Sequence, residues 1–145
     1  MAVRRVFAVS IGGFDESFGP GGRFPSADEW DLALRALLKG GHIYETEALT
    51  VVHHGFRTFA EGRLHAKRDW QAIGALCAKP LRVGYFRASA LLLWLFVADA
   101  VWPPLLDIIR LRRPVGLTRI VAFGEGFARG IATPVERSTL RFLPR

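Results

Sequence analysis

Hydrophobic and polar positions follow two different periods along this chain, and each change of period marks an element. Residues 3–9 form a short apolar run that predicts a strand or extended entry. Residues 12–25 hold Gly12, Gly13, Gly19, Pro20, Gly21, Gly22 and Pro25, a density of glycine and proline that predicts a loop. A helix follows with clear punctuation. Ser26 is placed to cap it and Glu29, three residues later, completes a capping box, while Asp28 and Asp31 suit the positive end of the helix dipole. Trp30, Leu34, Leu37 and Leu38 make one apolar face; Asp31, Arg35 and Lys39, four apart, can pair along a solvent face. Gly40 and Gly41 end the helix.

Ile43, Tyr44, Leu49, Val51 and Val52 predict one or two strands within residues 42–53. Residues 62–79 predict a second helix with Ala66, Trp70, Ile73 and Cys77 on one face, stopped by Pro80. Residues 88–106 carry a single charge, Asp99, over a length close to that needed to cross a bilayer. Three readings stand for residues 88–109: a membrane span, an interfacial or hairpin element, and a buried core helix. Asp99 opposes spanning, at roughly 2.5–3.5 kcal/mol for a carboxylate at mid-bilayer, and so does the Pro103-Pro104 break. Residues 115–132 form a weaker amphipathic stretch, and the tail 133–145 is basic.

The charge pattern narrows the choice of partner. The chain has 145 residues and a net charge of +7. Residues 57–87 carry seven basic against two acidic side chains, and residues 110–145 carry eight against two. The acidic excess lies in residues 1–56, and residues 88–109 hold only Asp99 and Asp107 as charges. Basic flanks around an apolar segment suit an anionic membrane surface, with Arg82, Arg87, Arg110, Arg112 and Arg113 at the headgroups. No nucleic-acid motif is present. The lone Cys77 excludes an internal disulfide and fits a reducing compartment.

Candidate chemistry gathers at 28–31, where Asp28, Glu29 and Asp31 put three carboxylates into one helical turn beside a glycine loop. Crowded carboxylates can serve as a general base, since like charges raise a pKa. Spacing alone equally describes an ordinary acidic helix start. Trp30 reads as a core residue of the apolar stripe or as a platform for a sugar ring.

The order of these features resembles the acceptor-side, C-terminal portion of a family 2 glycosyltransferase domain. The matching residues are Gly12, Gly13, Phe14, Asp15 and Glu16, then Asp28-Glu29-Trp30-Asp31-Leu32 with Arg35, then Gly41, then His53 closing the Val-Val-His-His stretch. The resemblance implies an α/β fold: a partial GT-A domain over residues 1–82, followed by a helical, basic and apolar extension over 83–145. It implies Glu29 as the base, with Asp28 and Asp31 shaping its field. Asp15, Glu16, Trp30 and Arg57 would meet substrate, and His53 would face a metal–diphosphate.

Two departures qualify the resemblance. The family's Glu-Asp pair appears here as Asp28-Glu29, and neither the Asp-x-Asp sequence that holds the donor's divalent metal nor the Gln-x-x-Arg-Trp signature of processive members occurs. The expectation is therefore a chain without the nucleotide-binding half, inactive alone. The full enzyme would use magnesium or manganese, a nucleotide-sugar, and a saccharide or lipid-linked acceptor at the cytoplasmic face of a membrane. This chain would bind the metal weakly, and the open edge of its partial sheet would promote self-association. The alternative is a non-catalytic, membrane-associated binding or assembly module.

Overall fold

The computed structural model describes residues 2–48, 50, 52, 55 and 58–144. Among them it contains six α-helices: α1 (Arg5–Ser10), α2 (Asp28–Leu38), α3 (Phe59–Arg82), α4 (Phe86–Phe96), α5 (Trp102–Ile109) and α6 (Leu117–Ala132), with a π-helical turn, Val97–Val101, between α4 and α5. The α/β expectation is overturned. No sheet forms among the described residues, and the extended pairings are two isolated bridges, Phe18 with Phe24 and Val135 with Phe142.

The run 3–9 turns into α1 because nothing pairs with it as a strand. The Gly12 and Gly13 amides instead close back onto Val9 and Ala8 carbonyls, with both glycines at positive φ. The described part of 42–53 is irregular, and Leu49, Val51 and His53 lie outside the described residues.

The acidic helix forms where the sequence puts it, but its start differs. The residue before α2 is Ala27, at φ 65, and it makes no side-chain cap. That left-handed residue swings Ser26 away from the helix, and its Oγ donates to Asp69 Oδ1 at 2.6 Å. The capping box that does form is Thr58 with Glu61 at the start of α3, which moves that helix's beginning ahead of residue 62. Pro80 does not stop α3. It sits in the last turn, where one lost amide bond is tolerated, and the helix continues to Arg82.

Helices α3 and α6 form the frame. They approach so closely that glycine is required on both: a Cβ on Gly74 would lie 2.2 Å from the Phe123 carbonyl oxygen, and one on Gly126 would lie 1.8 Å from that of Gln71. Between them in sequence, α4 turns back along α3, and Phe96 stacks on Phe123 at 3.6 Å and meets Trp70 edge-on at 5.9 Å. The π turn has a local cause. Pro103 cannot donate to Asp99, and its ring would crowd that carbonyl. One residue earlier the chain widens, so that the Trp102 amide reaches back to Val97.

On the other side of α3 lies an aromatic core. Phe18, Phe24 and Phe142 meet one another with centroids 5.4–5.6 Å apart over Ala72, Ala75 and Leu76. A smaller cluster, Ile11, Leu32 and Ala36 with Phe7, joins α1 to α2.

Candidate functional site

Asp31 and Arg35 do pair four apart along α2, but inside the protein. Both are fully buried, and Arg35 Nε donates to Asp31 Oδ2 at 2.7 Å. The same guanidinium donates through its two Nη atoms to the carbonyls of Ile11 (2.8 Å) and Gly13 (2.6 Å). The other Asp31 oxygen takes a short hydrogen bond from Lys79 Nζ of α3. Lys79 also reaches Asp15 Oδ2 at 2.7 Å, and its ammonium lies over the rings of Phe18 and Phe142 at 4.7 and 4.6 Å.

Asp15 is held on every side. Its Oδ1 accepts from the Ser17 amide at 2.9 Å, and its Oδ2 accepts from the Phe142 amide at 2.7 Å as well as from Lys79. Two carboxylates and two cations therefore make a neutral buried cluster. It ties the glycine loop, α2, α3 and the C-terminal segment together. A second strap runs alongside, where Arg141 Nη1 donates to the Gly12 carbonyl at 3.0 Å.

Burial by itself would raise the Asp15 carboxyl. The Lys79 ammonium, aided by its own hydrogen bond and by the Phe142 and Ser17 amides, outweighs that and holds the pKa below the ordinary 3.8. The folded protein then binds fewer protons at Asp15 than the unfolded chain does. The stabilisation is complete above about pH 5 and drains away as pH falls through 3.8 and on through the folded value. Thermal melts at pH 6, 4 and 3 should show the midpoint dropping below pH 4, with a flatter decline in Asp15→Asn.

These contacts redistribute the expected roles. Asp31 cannot act as a base or shape a surface field, because Arg35 and Lys79 neutralise it out of reach of solvent. Asp15 likewise is a buried anchor rather than a lining of an open acceptor loop. Glu16 is exposed beside it. Asp28 is half-buried against Gly19, whose added Cβ would meet Asp28 Cγ at 3.0 Å. Glu29 faces solvent. Trp30 is 62% exposed, which overturns its reading as core. His53 and Arg57 lie outside the described residues.

Glu29 and Trp30 stand at the edge of an apolar cleft of about 580 Å³ between α2, α3 and α4, walled by Leu34, Leu38, Leu76, Leu91 and Leu92 among others. Two motif carboxylates combine solvent access with a neighbouring space: Glu29 at this apolar cleft, and Glu16 at a smaller, more polar one of about 340 Å³ lined also by Arg23 and Arg141. Among the described residues no group of three His, Cys, Asp or Glu side chains is arranged to hold a metal. The converging pair Asp15 and Asp31 shares Lys79 where a cation would sit, so these carboxylates do not fit a divalent ion. Cys77 is buried, and its thiol is pushed up to about 12 by that burial.

Sequence reasoning missed Lys79. The signal was present: Lys79 stands three and seven residues after Leu76 and Ala72, on the face α3 buries. A lysine continuing an apolar stripe asks for a carboxylate partner. Comparison of the chain with protein-family profiles, curated proteins and solved structures finds no match in any of the three.

Proposed function

We propose that this chain is the acceptor-side part of an inverting, family 2-like sugar transferase held at the cytoplasmic face of a membrane, with Glu29 as its base. The observation that carries the reading is the buried cluster of Asp15, Asp31, Arg35 and Lys79. It locks together two of the sequence stretches on which the glycosyltransferase resemblance rests, and it leaves Glu29 exposed on the same helical turn.

In this reading the Glu29 carboxylate takes the proton of the acceptor hydroxyl as that oxygen attacks the anomeric carbon. The anomeric bond to the nucleoside diphosphate breaks, its electron pair leaves with the diphosphate, and the configuration inverts. Trp30 offers a ring face to the acceptor sugar. The apolar cleft beside Glu29 favours a lipid-linked acceptor over a free saccharide, since its leucine walls suit a hydrocarbon chain. The sequence has no Asp-x-Asp. Donor binding is therefore assigned to a surface other than this one.

The test is transfer of radiolabelled sugar, from a panel of nucleotide-sugars, into the lipid and saccharide fractions of membranes from cells making the chain. Chain-dependent transfer should fall roughly 10²–10⁴-fold in Glu29→Gln, with part retained in Glu29→Asp. Transfer that ignores Glu29→Gln would remove the base assignment. A second reading, a non-catalytic membrane-associated assembly module, draws on the long apolar helix Phe86–Ile109. It is favoured if no donor gives chain-dependent label while the protein still sediments with membranes.

A further inference from the structure

The helical stretch Phe86–Ile109 is long and apolar enough to cross a membrane, and little of it is buried in the protein. At 1.5 Å per residue its 24 residues extend about 36 Å, more than a hydrocarbon core. Length therefore permits spanning, and what the helix touches decides the matter. Its inner side holds Ser89, Ala100 and Pro104, all buried, with Phe96 half-buried between them. Its outer side exposes Leu91, Trp94, Trp102, Leu105 and Ile109 as a continuous stripe.

The midpoint of the stretch is fastened to polar protein. Phe96 stacks on Phe123 of α6 and meets Trp70 of α3. At the same level Gln71 Nε2 donates to Glu125 Oε2 at 2.7 Å, and Asp69 accepts from Ser26 at 2.6 Å. Exposed Arg68 stands next to them. A spanning helix would carry these groups to the middle of the bilayer, together with its own exposed Asp99, and each would lose its water there. Lying flat, the helix immerses only the outer stripe and leaves α3, α6 and Asp99 wet.

We infer that Phe86–Ile109 lies in the plane of an anionic membrane surface, outer stripe down, and does not span it. The occupant of the apolar face is a lipid bilayer, because the charges at its ends match one. Exposed Arg82 and Arg87 stand at one end and exposed Arg110, Arg112 and Arg113 at the other, where anionic headgroups would meet them. Trp94 and Trp102 have the amphipathic character of interfacial anchors. The inference rests on the membrane association proposed above and adds its geometry: the helix and the Glu29 cleft, whose wall includes Leu91 and Leu92, face the same leaflet.

Two measurements test the inference, the first for association and the second for geometry. Full-length chain should float with vesicles of phosphatidylcholine plus phosphatidylglycerol. The triple change of Arg110, Arg112 and Arg113 to Gln should lower partitioning roughly 100-fold, about fivefold per arginine. In sealed membranes from cells making the chain, Arg87→Cys and Val115→Cys should both react with an impermeant maleimide from the same side, Cys77 staying silent in its burial. Labelling of the two positions from opposite sides would overturn the in-plane geometry while leaving membrane association intact. Failure to float or to sediment with membranes would remove both. A lipid-free dimer that hides Trp94 from an aqueous quencher and does not float would overturn the inference in favour of a second copy on this face.

Discussion

Gly126→Ala is expected to be among the most damaging single substitutions in this chain. A Cβ there would lie 1.8 Å from the Gln71 carbonyl oxygen and 2.6 Å from its carbon. Both are backbone atoms of α3, so no rotamer change relieves the overlap and the two frame helices must move apart. Overpacking of a well-fitted core costs about 1–3 kcal/mol and occasionally more, and a backbone clash of this depth belongs at or above the upper end. The melting midpoint should fall by about 10 °C, at roughly 3 °C per kcal/mol for a chain of this size. Gly124→Ala is the internal control. It lies in the same helix, nothing stands within 4 Å of its added Cβ, and better helix propensity should make it neutral or up to about 1 kcal/mol stabilising. Equal melting of Gly126→Ala and wild type would mean that α3 and α6 do not meet as described.

The second large effect is Lys79→Met. Methionine keeps length and apolar bulk but leaves Asp15 and Asp31 facing one cation, Arg35, in a buried space. Removing one partner of a buried ionic cluster costs about 3–5 kcal/mol, a large share of the 5–15 kcal/mol that holds a typical domain together. The pH dependence gives a sharper signature than the magnitude. Burial is the largest single influence on Asp15 and acts upward. Without Lys79 only the Phe142 and Ser17 amides oppose burial, so the folded carboxyl should titrate higher than it does in the wild type. Loss of stability in acid should then be shallower in the variant than in the wild type. Adding Asp15→Asn to Lys79→Met should recover part of the loss, with a coupling of about 1 kcal/mol or more in a double-mutant cycle. Simple additivity would argue that the two side chains do not share a contact.

These two positions also mark where the sequence could and could not be read. Helix α2 was legible almost to the residue, because its apolar spacing, acidic first turn and closing glycines agree with one another. Its partner surface was not. Reading Asp31, Arg35 and Lys39 as a solvent face assumed that charges point outward. The fold instead buries the first two, because Lys79 and the carbonyls of residues 11 and 13 satisfy them. Residues 3–9 looked like a strand for want of any local signal that no second strand would lie beside them. The fold-class error has the same origin. Motif order along the chain does not say whether a sheet lies beneath the motifs, and the approach of Asp15 and Asp31 to one lysine was not predicted either. Glu29 was singled out through the family resemblance, and the fold leaves it facing solvent. The contribution of Phe142 had no sequence signal, since nothing in a basic tail announces that one of its amides will meet a carboxylate 127 residues earlier.

That last contact governs the order in which the molecule can be finished during synthesis. Asp15 leaves the ribosome early, and the amide that completes its ligation belongs to residue 142. Phe18 and Phe24 wait equally long for the third ring of their cluster. Contacts of such wide separation form late and slowly, because the intervening chain must be ordered first. At translation rates of about 5–20 residues per second, about 2–7 seconds pass in which the apolar stripe of Phe86–Ile109 is already made while the core is still open. A nascent chain in that condition presents a long apolar helix before it has a folded body. In the membrane geometry proposed above, docking at the bilayer would therefore precede folding, and the surface that receives the helix would be the place where the core closes.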